Sequence, residues 1–460
     1  MVVAGVLAFV SACAKSPPAV PGGGTGGAAG GGGPPTPGQI AISAATRTAR
    51  TGTIGLNYWC WAPAYVDNVA GTETAIAAVA PRFVRVGGHN NDNNKPNPFS
   101  QTEIDKAVTY VKAVGGEMIL QVPLLGDENG AVPTAATAAA MVTYTNVTKG
   151  YGIKYFSIGN EPDLYPDQEA TLPTFKPADF CSSARAFVTA MKAVDPTIKI
   201  VGPDLSWKYQ AGQLANDWMT PILTSCGDLF DVVSFHRYPF APPAATAAAA
   251  QADAPAFHNL IGSLRTIMRT TGQTDKPLAL TEANITYDGA PEKSTLDASP
   301  NTVAAGLWAA DMLGTALGDG LWTTLWWSLS EGWTLGLITP GAHVPRPTYH
   351  ALQVFAAHFG PTLIQVTSTP AGVRAYASRD AADAGTQIIV VNWNQVDQAI
   401  TFTITGTMAP VPPAMFNLGA RTFTAVEIPD VGSPAAWTYG AAQLAGQTGP
   451  AAITPPTTAP

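Results

Sequence analysis

The fold of this chain is indicated most clearly by the stretch Tyr155-Phe156-Ser157-Ile158-Gly159-Asn160-Glu161-Pro162-Asp163. Its first half is apolar and aromatic, which is typical of a buried strand, and it ends abruptly in Asn-Glu-Pro. The carboxylate of Glu161 is therefore presented at the tip of a strand. A second segment, Pro277-Leu278-Ala279-Leu280-Thr281-Glu282-Ala283-Asn284, presents Glu282 in the same way. One such segment alone would indicate a solvated turn. Two segments of this kind instead favour two strands that each present a glutamate at the strand end.

Between residues 52 and 330, short apolar segments alternate with helical ones. The predicted strands are 53–60, 83–87, 117–124, 155–160, 198–204, 231–236, 278–283 and 321–328. Their near-continuous hydrophobicity is typical of parallel strands that are covered on both faces. The clearest helix starts after Ser100, with Glu103 completing a capping box, and ends at Gly115-Gly116. Eight such units predict a (β/α)8 TIM barrel, which we place at residues 40–360.

From residue 361 the pattern changes to short segments that alternate with period two and are separated by turn residues. This pattern predicts an antiparallel β-sandwich over residues 361–445. The segment 40–50 precedes the first barrel strand and is a candidate for an additional strand of the sandwich. Residues 446–460 are rich in Pro, Thr and Ala, and we expect this tail to be disordered.

The N-terminal segment predicts export. Residues 1–10 are apolar, and Ser11-Ala12-Cys13 completes a signal peptide that resembles a bacterial lipobox, with Cys13 as the lipidated residue. No positive charge precedes Cys13, so a simple apolar N-terminus stays open. Residues 14–39 are mostly Gly, Pro, Ala and Thr and predict a flexible linker. We expect an extracytoplasmic protein, either a lipoprotein anchored at the cell envelope or a secreted one.

The net charge and the length of the apolar runs limit the kinds of binding partner that we expect. The formal net charge of −8 argues against nucleic-acid binding, which needs clustered Lys and Arg. No apolar run approaches the roughly 20 residues that span a bilayer, so we expect membrane contact only through the lipid anchor. Cys181 and Cys226 flank one βα region and are a candidate disulfide, although reduced thiols are an equal alternative.

The two glutamates predict acid–base and nucleophilic chemistry on a sugar. Glycoside hydrolysis with retention needs two carboxyl groups about 5–5.5 Å apart, one protonated and one ionised. Strands four and seven of a barrel lie across its mouth from each other and can supply this gap. We assign Glu161 as the acid/base and Glu282 as the nucleophile. Their pKa values must then differ, one raised by apolar walls and the other held low by hydrogen-bond donors.

Other predicted strand ends carry groups suited to binding a sugar. We expect Arg85 to stabilise the ionised Glu282 and Tyr238 to donate to it. Asn160 is a candidate for holding the sugar 2-hydroxyl. The full set of predicted substrate-binding residues is Arg85, His89, Asn160, His236, Tyr238, Trp326 and Trp327.

Each of these residues has a structural alternative. Arg85 can be a structural ion pair and His236 a core histidine. One of Trp326 and Trp327 must point away from the barrel interior, because neighbouring strand residues face opposite sides. The polar run 89–94 can line a sugar cleft, form a solvated turn or bind calcium. We predict no metal at the catalytic site.

The chain resembles the clan A glycoside hydrolases, which carry the acid/base on strand four and the nucleophile on strand seven of a (β/α)8 barrel. The resemblance covers about residues 52–430, and it rests on Arg85, Asn160-Glu161-Pro162, His236, Tyr238, Glu282 and Trp326 or Trp327. Three segments are similar to the β-glucuronidase and heparanase family, namely 159–165, 201–204 and 234–239. Segment 346–352 is similar both to that family and to endoglucanase family 44.

Together, these features predict a retaining β-glycoside hydrolase that cleaves an oligo- or polysaccharide by double displacement. The resemblance implies no cofactor, and we expect a monomer whose partner is its carbohydrate substrate. A transglycosylase would use the same residues with a sugar as acceptor and stays open. A non-catalytic carbohydrate-binding surface lipoprotein is a further alternative. The sequence does not fix the sugar or the linkage.

Overall fold

The computed structural model describes residues 38–58, 69–93, 100–126, 131–169, 171–206, 215–241, 244–287, 298–330, 335–407 and 410–454. Cys13 and the predicted linker up to residue 37 lie outside these ranges. Among the helices within them, none is both long and apolar enough to cross a membrane. Strand β1 (Gly38–Ala49) comes first and belongs to the second domain.

Eight parallel strands then close into a barrel, as predicted. They are β2 (Thr53–Tyr58), β3 (Phe83–Val86), β4 (Glu117–Val122), β5 (Tyr155–Ile158), β6 (Lys199–Leu205), β7 (Val232–Arg237), β8 (Leu278–Ala283) and β9 (Thr323–Trp326). The barrel closes because β2 pairs in parallel with both β3 and β9. Every strand predicted from the sequence is present.

Helices surround this barrel. The α-helices up to the second domain are Glu73–Ala77, His89–Asn93, Gln101–Ala113, Ala135–Val142, Tyr165–Gln168, Pro177–Val194, Thr220–Cys226, Ala247–Thr270, Val303–Gly318 and Pro347–His358. Short 3-10 helices lie at Pro162–Leu164 and Gly227–Leu229, and π-helical turns at Thr143–Thr148 and Ala215–Met219. The capping box predicted at Ser100 is present, with Glu103 accepting the Ser100 backbone N–H at 3.2 Å. Helix Gln101–Ala113 buries its apolar face against the barrel.

The second domain is built on one nine-stranded sheet. Besides β1, its strands are β10 (Thr362–Ser368), β11 (Val373–Arg379), β12 (Gly385–Asn392), β13 (Gln398–Thr405), β14 (Ala414–Leu418), β15 (Thr422–Pro429), β16 (Ala435–Tyr439) and β17 (Ala451–Ile453). Their order is β14-β13-β1-β10-β11-β12-β15-β16-β17. This sheet corresponds to the predicted C-terminal β-sandwich domain.

The sheet differs from the sequence-based prediction in two respects. First, the barrel begins after residue 49 rather than at residue 40. The segment 40–50, a candidate for an additional sandwich strand, forms most of β1, which pairs antiparallel with β10 and parallel with β13 and so confirms that prediction. It inserts there because Ile40, Ile42 and Ala44 alternate inward into the core of this domain. Second, the tail from residue 446, predicted to be disordered, contributes β17, which pairs antiparallel with β16 and forms the last strand of the sheet. Residues 455–460 lie outside the described part.

Side-chain alternation divides the barrel interior into two layers. The lower layer is an apolar cluster of Phe83, Ile119, Val201, Val232, Ala279 and Leu325. Two residues further along three of these strands, the inward positions are Arg85, Gln121 and Thr281, all buried. The apolar layer closes the base of the barrel, so that the polar layer lies at the C-terminal ends of the strands. This is the end at which TIM-barrel enzymes hold their active sites.

Candidate active site

Glu161 and Glu282 meet in this polar layer. One carboxylate oxygen of each, together with a ring nitrogen of His236, lies within 4.8 Å of the others. Glu282 belongs to the end of β8 and is 4% exposed. Glu161 follows β5 in a turn in which Gly159 and Glu161 both have left-handed backbone conformations, with φ of 68° and 50°. This turn directs the Glu161 side chain across the mouth of the barrel towards Glu282.

Arg85 connects the catalytic candidates from the end of β3. Its guanidinium is fully buried and donates to Glu282 Oε1 at 2.7 Å and to Asn160 Oδ1 at 2.8 Å. A third contact, at 3.1 Å, joins it to Oδ2 of Asp204. The predicted pairing of Arg85 with Glu282 is present in the structure. Because the planar guanidinium has donors on several sides, it fixes Glu282 and Asn160 relative to each other.

The end of β7 supplies one partner to each glutamate. The hydroxyl of Tyr238 donates to Glu282 Oε2 at 2.8 Å, as expected from neighbouring strands. The Nδ1 atom of His236 lies 2.9 Å from Glu161 Oε1 and 3.6 Å from Glu282 Oε2. Burial lowers the pKa of His236, which favours the neutral imidazole. His236 therefore lies beside both carboxyl groups, at hydrogen-bond distance from Glu161, rather than packing in the apolar core.

The two glutamates differ in their polar partners, and burial raises the pKa of both. Burial, with a smaller contribution from Asp163, raises the pKa of Glu161 to about 8, so its carboxyl group holds a proton at neutral pH. Burial also raises the pKa of Glu282, while His236, Arg85 and Tyr238 oppose the increase. The expectation that donors hold the Glu282 pKa low is therefore wrong in direction, because desolvation outweighs them. The two carboxyl groups still differ in their hydrogen-bond donors, since Arg85 and Tyr238 donate to Glu282.

The two tryptophans at the end of β9 face opposite sides. Trp326 is 1% exposed and packs on Trp308 of helix Val303–Gly318, with ring centroids 5.8 Å apart. The structure thus does not bring Trp326 into the site, because the strand alternation turns it outward. Trp327 instead lies against Gly88, where an added Cβ would meet its ring at 2.5 Å. Trp327 is therefore the candidate sugar platform of the pair.

The polar run after β3 forms a helix rather than an open loop. His89 is half-buried at its start, and burial lowers its pKa, with Glu169 nearby opposing this. Asn93 donates to Glu169 Oε1 at 3.3 Å. Asp92 is fully buried and accepts hydrogen bonds from the protein backbone, so it is not an open calcium ligand. Asn94 lies outside the described residues.

Sequence reasoning gave no specific role to several residues of this layer. Asp204 at the end of β6 accepts from Thr281 Oγ1 at 2.6 Å and from the hydroxyl of Ser234, besides its contact with Arg85. Arg85 and these donors lower the pKa of Asp204 against the effect of burial, which keeps the carboxylate ionised. Asn57 accepts from Arg85 at 3.1 Å. The sequence signal that could have identified them is that each is a polar residue near the C-terminal end of a predicted barrel strand.

The predicted disulfide is present between two helices outside the barrel strands. Cys181 of helix Pro177–Val194 is bonded to Cys226 of helix Thr220–Cys226, with Cα atoms 5.6 Å apart. Among the described residues, the metal-competent cluster of His, Cys, Asp and Glu side chains is Glu161, His236 and Glu282. Its two carboxyl groups, Glu161 and Glu282, are the pair predicted to act as acid/base and nucleophile.

Comparison with known proteins identifies the architecture. No protein-family model and no curated protein matches the chain. A family 51 α-L-arabinofuranosidase from Bifidobacterium longum superimposes with a TM-score of 0.66 at 16% identity, covering 86% of this chain and 100% of that one. A family 44 endoglucanase from Clostridium acetobutylium gives 0.63 at 14% identity, covering 86% and 100%.

An α-L-arabinofuranosidase from Thermotoga maritima gives a TM-score of 0.64 at 14% identity and covers 85% of this chain and 100% of that one. The chain has the fold of these glycoside hydrolases. The predicted resemblance to barrel glycoside hydrolases is thus confirmed for the fold, including the appended sheet domain. The likeness of three segments to the β-glucuronidase and heparanase family stays a prediction.

Proposed function

We propose that the protein is a retaining glycoside hydrolase in which Glu161 is the acid/base and Glu282 the nucleophile. The observation that carries this proposal is the approach of the two carboxyl groups to within 4.8 Å at the barrel mouth. Retaining enzymes hold their carboxyl groups about 5–5.5 Å apart, whereas inverting enzymes leave about 6.5–9.5 Å for a water molecule. We assign the two roles from their different partners, since Arg85 and Tyr238 donate to Glu282, whereas His236 lies beside Glu161.

In the first step, ionised Glu282 attacks the anomeric carbon and forms a glycosyl ester. The bond between this carbon and the leaving oxygen breaks, and Glu161 gives its proton to that oxygen. Arg85 and Tyr238, which donate to the two oxygens of Glu282, orient the carboxylate for attack. The raised pKa of Glu161, about 8, keeps this acid protonated at neutral pH.

In the second step, water attacks the anomeric carbon from the side that the leaving group vacated. Glu161, now ionised, takes a proton from this water, and the ester bond to Glu282 breaks. Both carboxyl groups return to their starting states, and the anomeric configuration is retained. A sugar hydroxyl in place of water would give transglycosylation with the same residues, so the acceptor decides between the two activities.

The substrate we propose is a β-glycosidic bond in an oligo- or polysaccharide. An α-L-arabinofuranoside is the second candidate, because arabinofuranosidases share the fold as closely as endoglucanases do. A panel of aryl β-glycosides, aryl α-L-arabinofuranosides and β-glucans separates the two. We also propose that the enzyme works outside the cytoplasm, on the basis of the lipobox-like segment that ends at Cys13.

The roles are tested by chemical rescue with azide. In Glu161→Ala, a 2,4-dinitrophenyl glycoside still forms the glycosyl enzyme, because this leaving group needs no proton. Azide then attacks the intermediate, and the expected product is a glycosyl azide with the configuration of the substrate. In Glu282→Ala, azide replaces the nucleophile, and the expected product has the opposite configuration.

Glu117→Ala is the matched control, because this half-exposed carboxylate pairs with Arg82 at the other end of the barrel. We expect it to keep wild-type activity and to give no glycosyl azide. Near-wild-type turnover by Glu161→Ala or Glu282→Ala on a natural substrate would refute the proposal. An inverted azide product from Glu161→Ala would show that the two roles are exchanged.

A further inference from the structure

The turn that carries Glu161 is held by three consecutive backbone N–H groups. In the turn Gly159–Glu161, the first N–H donates to the carbonyl oxygen of Val122 at 2.9 Å, and the third to that of Asp204 at 3.0 Å. The second donates to Oδ2 of Asp92 at 3.2 Å. Two of these acceptors belong to the backbone of neighbouring strands. The third is a side chain, so it can be changed without altering the strands.

Asp92 gathers three segments of the barrel mouth at one carboxylate. It lies in helix His89–Asn93 after β3 and is fully buried. Its Oδ1 accepts the backbone N–H of Leu124, just after β4, at 2.6 Å. Its Oδ2 accepts the hydroxyl of Tyr165, which follows β5. A buried carboxylate with three donors from different segments fixes those segments relative to one another.

The turn requires such fixing because Glu161 has an unfavourable backbone conformation. Glu161 has φ of 50°, a left-handed conformation that residues with a Cβ seldom adopt. Gly159 has φ of 68°, and a Cβ added there would meet the Tyr165 hydroxyl at 2.8 Å. Such conformations persist only where the surroundings hold them, and they concentrate at functional sites.

We propose that Asp92 is a positioning residue that holds the turn Gly159–Glu161 so that the Glu161 carboxyl group faces the leaving-group oxygen. This inference rests on the proposed function, since it assumes that Glu161 is the acid. Asp92 contacts neither glutamate and acts through the Asn160 N–H and the Tyr165 hydroxyl. The side chain of Asn160 is held independently by Arg85. Asp92 therefore controls proton donation by Glu161 and not the attack by Glu282.

The test compares two leaving groups, because only a poor one needs the proton of Glu161. The full chain and its variants are assayed on phenyl and 2,4-dinitrophenyl glycosides of the sugar that the wild type hydrolyses. For Asp92→Asn we expect kcat/KM to fall at least about 10-fold on the phenyl glycoside and less than about threefold on the dinitrophenyl one. Tyr165→Phe should change the ratio in the same direction but less, because Asp92 still accepts the Asn160 N–H.

Asp311→Asn is the matched control, since Asp311 is equally buried and its donors, which include Trp393 and Tyr376, lie in the sheet domain. Any loss in this variant should be equal on the two glycosides. Equal losses for Asp92→Asn would show a purely structural role and would overturn the proposal. If Glu161→Ala itself keeps the wild-type ratio, the proposed function fails, which is a separate outcome.

Hydrogen exchange gives a second measurement that does not depend on activity. In Asp92→Asn we expect faster exchange of the amides of the turn Gly159–Glu161, with the amides of β7 and β8 unchanged. Unchanged exchange in the turn would also overturn the positioning role.

Discussion

Replacing Tyr238 by Phe removes one oxygen atom and, with it, one defined hydrogen bond to the proposed nucleophile. The hydroxyl donates to Glu282 Oε2 at 2.8 Å, while the other oxygen of Glu282 keeps its bond to Arg85. A hydrogen bond to a charged group contributes about 1.5–3 kcal/mol. If this stabilisation supports the reactive carboxylate, its loss lowers kcat/KM by about 10- to 150-fold, since about 1.4 kcal/mol corresponds to a factor of ten.

The pH dependence gives a second, signed expectation. Glu282 must be ionised to attack, so activity is lost as the pH falls through its pKa. Burial raises the pKa of Glu282, and the Tyr238 hydrogen bond is among the contributions that oppose the increase. Removing the hydroxyl therefore raises this pKa further. In Tyr238→Phe, the acidic limb of the kcat/KM profile should move to higher pH, whereas the alkaline limb stays in place.

The assay is the pH profile of kcat/KM on one aryl glycoside, accompanied by thermal unfolding to confirm a folded variant. Tyr144→Phe is the matched control, because Tyr144 donates to a carboxylate oxygen of Asp105 over the same 2.8 Å, on the outer helices of the barrel. We expect this control to keep its activity and its pH profile. A change below about threefold in Tyr238→Phe, with an unmoved acidic limb, would refute the role assigned to this hydrogen bond.

Two further predictions concern the acid and the outer layer of the barrel. Because burial raises the pKa of Glu161 to about 8 and the acid must be protonated, kcat/KM should fall as the pH rises through about 8. Glu161→Gln should remove this alkaline limb, and an unchanged limb in that variant would assign it to another group. Asp253→Ala leaves Arg237 buried without its bidentate partner. The free energy of unfolding, measured in urea, should therefore fall by about 3–5 kcal/mol. A fall below about 1 kcal/mol would contradict a buried ion pair.

Much of the barrel could be predicted because its determinants are local. A parallel strand that is covered on both faces reads as a short apolar run, and the turn residues after it mark its end. Both glutamates follow such runs, so the closed barrel brings them to one face. Arg85 and Tyr238 were found by the same reasoning. Their pairing with Glu282 required only the order of strands in a barrel.

The predictions that failed depended on partners distant in the sequence. Alternation of Ile40 and Ile42 indicated the additional sandwich strand, which β1 confirms, but it did not indicate that β1 pairs with β13, far along the chain, or that the barrel begins only after it. The tail strand β17 is short, and its order comes from backbone pairing with β16. Trp326 and Trp327 are adjacent and chemically alike, so the twist and register of the closed barrel decide which of them faces the site.

The residue types that stand at the strand ends can be read from the amino-acid order alone, because apolar runs and the breaks between them are set by neighbours along the chain. How these groups interact depends on the folded barrel. The turn that holds Glu161 draws its partners from Asp92 on one side and Asp204 on the other. Burial, which raises the pKa of both glutamates, is a property of the assembled barrel mouth. Hydrogen bonds between different strand ends depend on register and closure, and neither is encoded in any single segment.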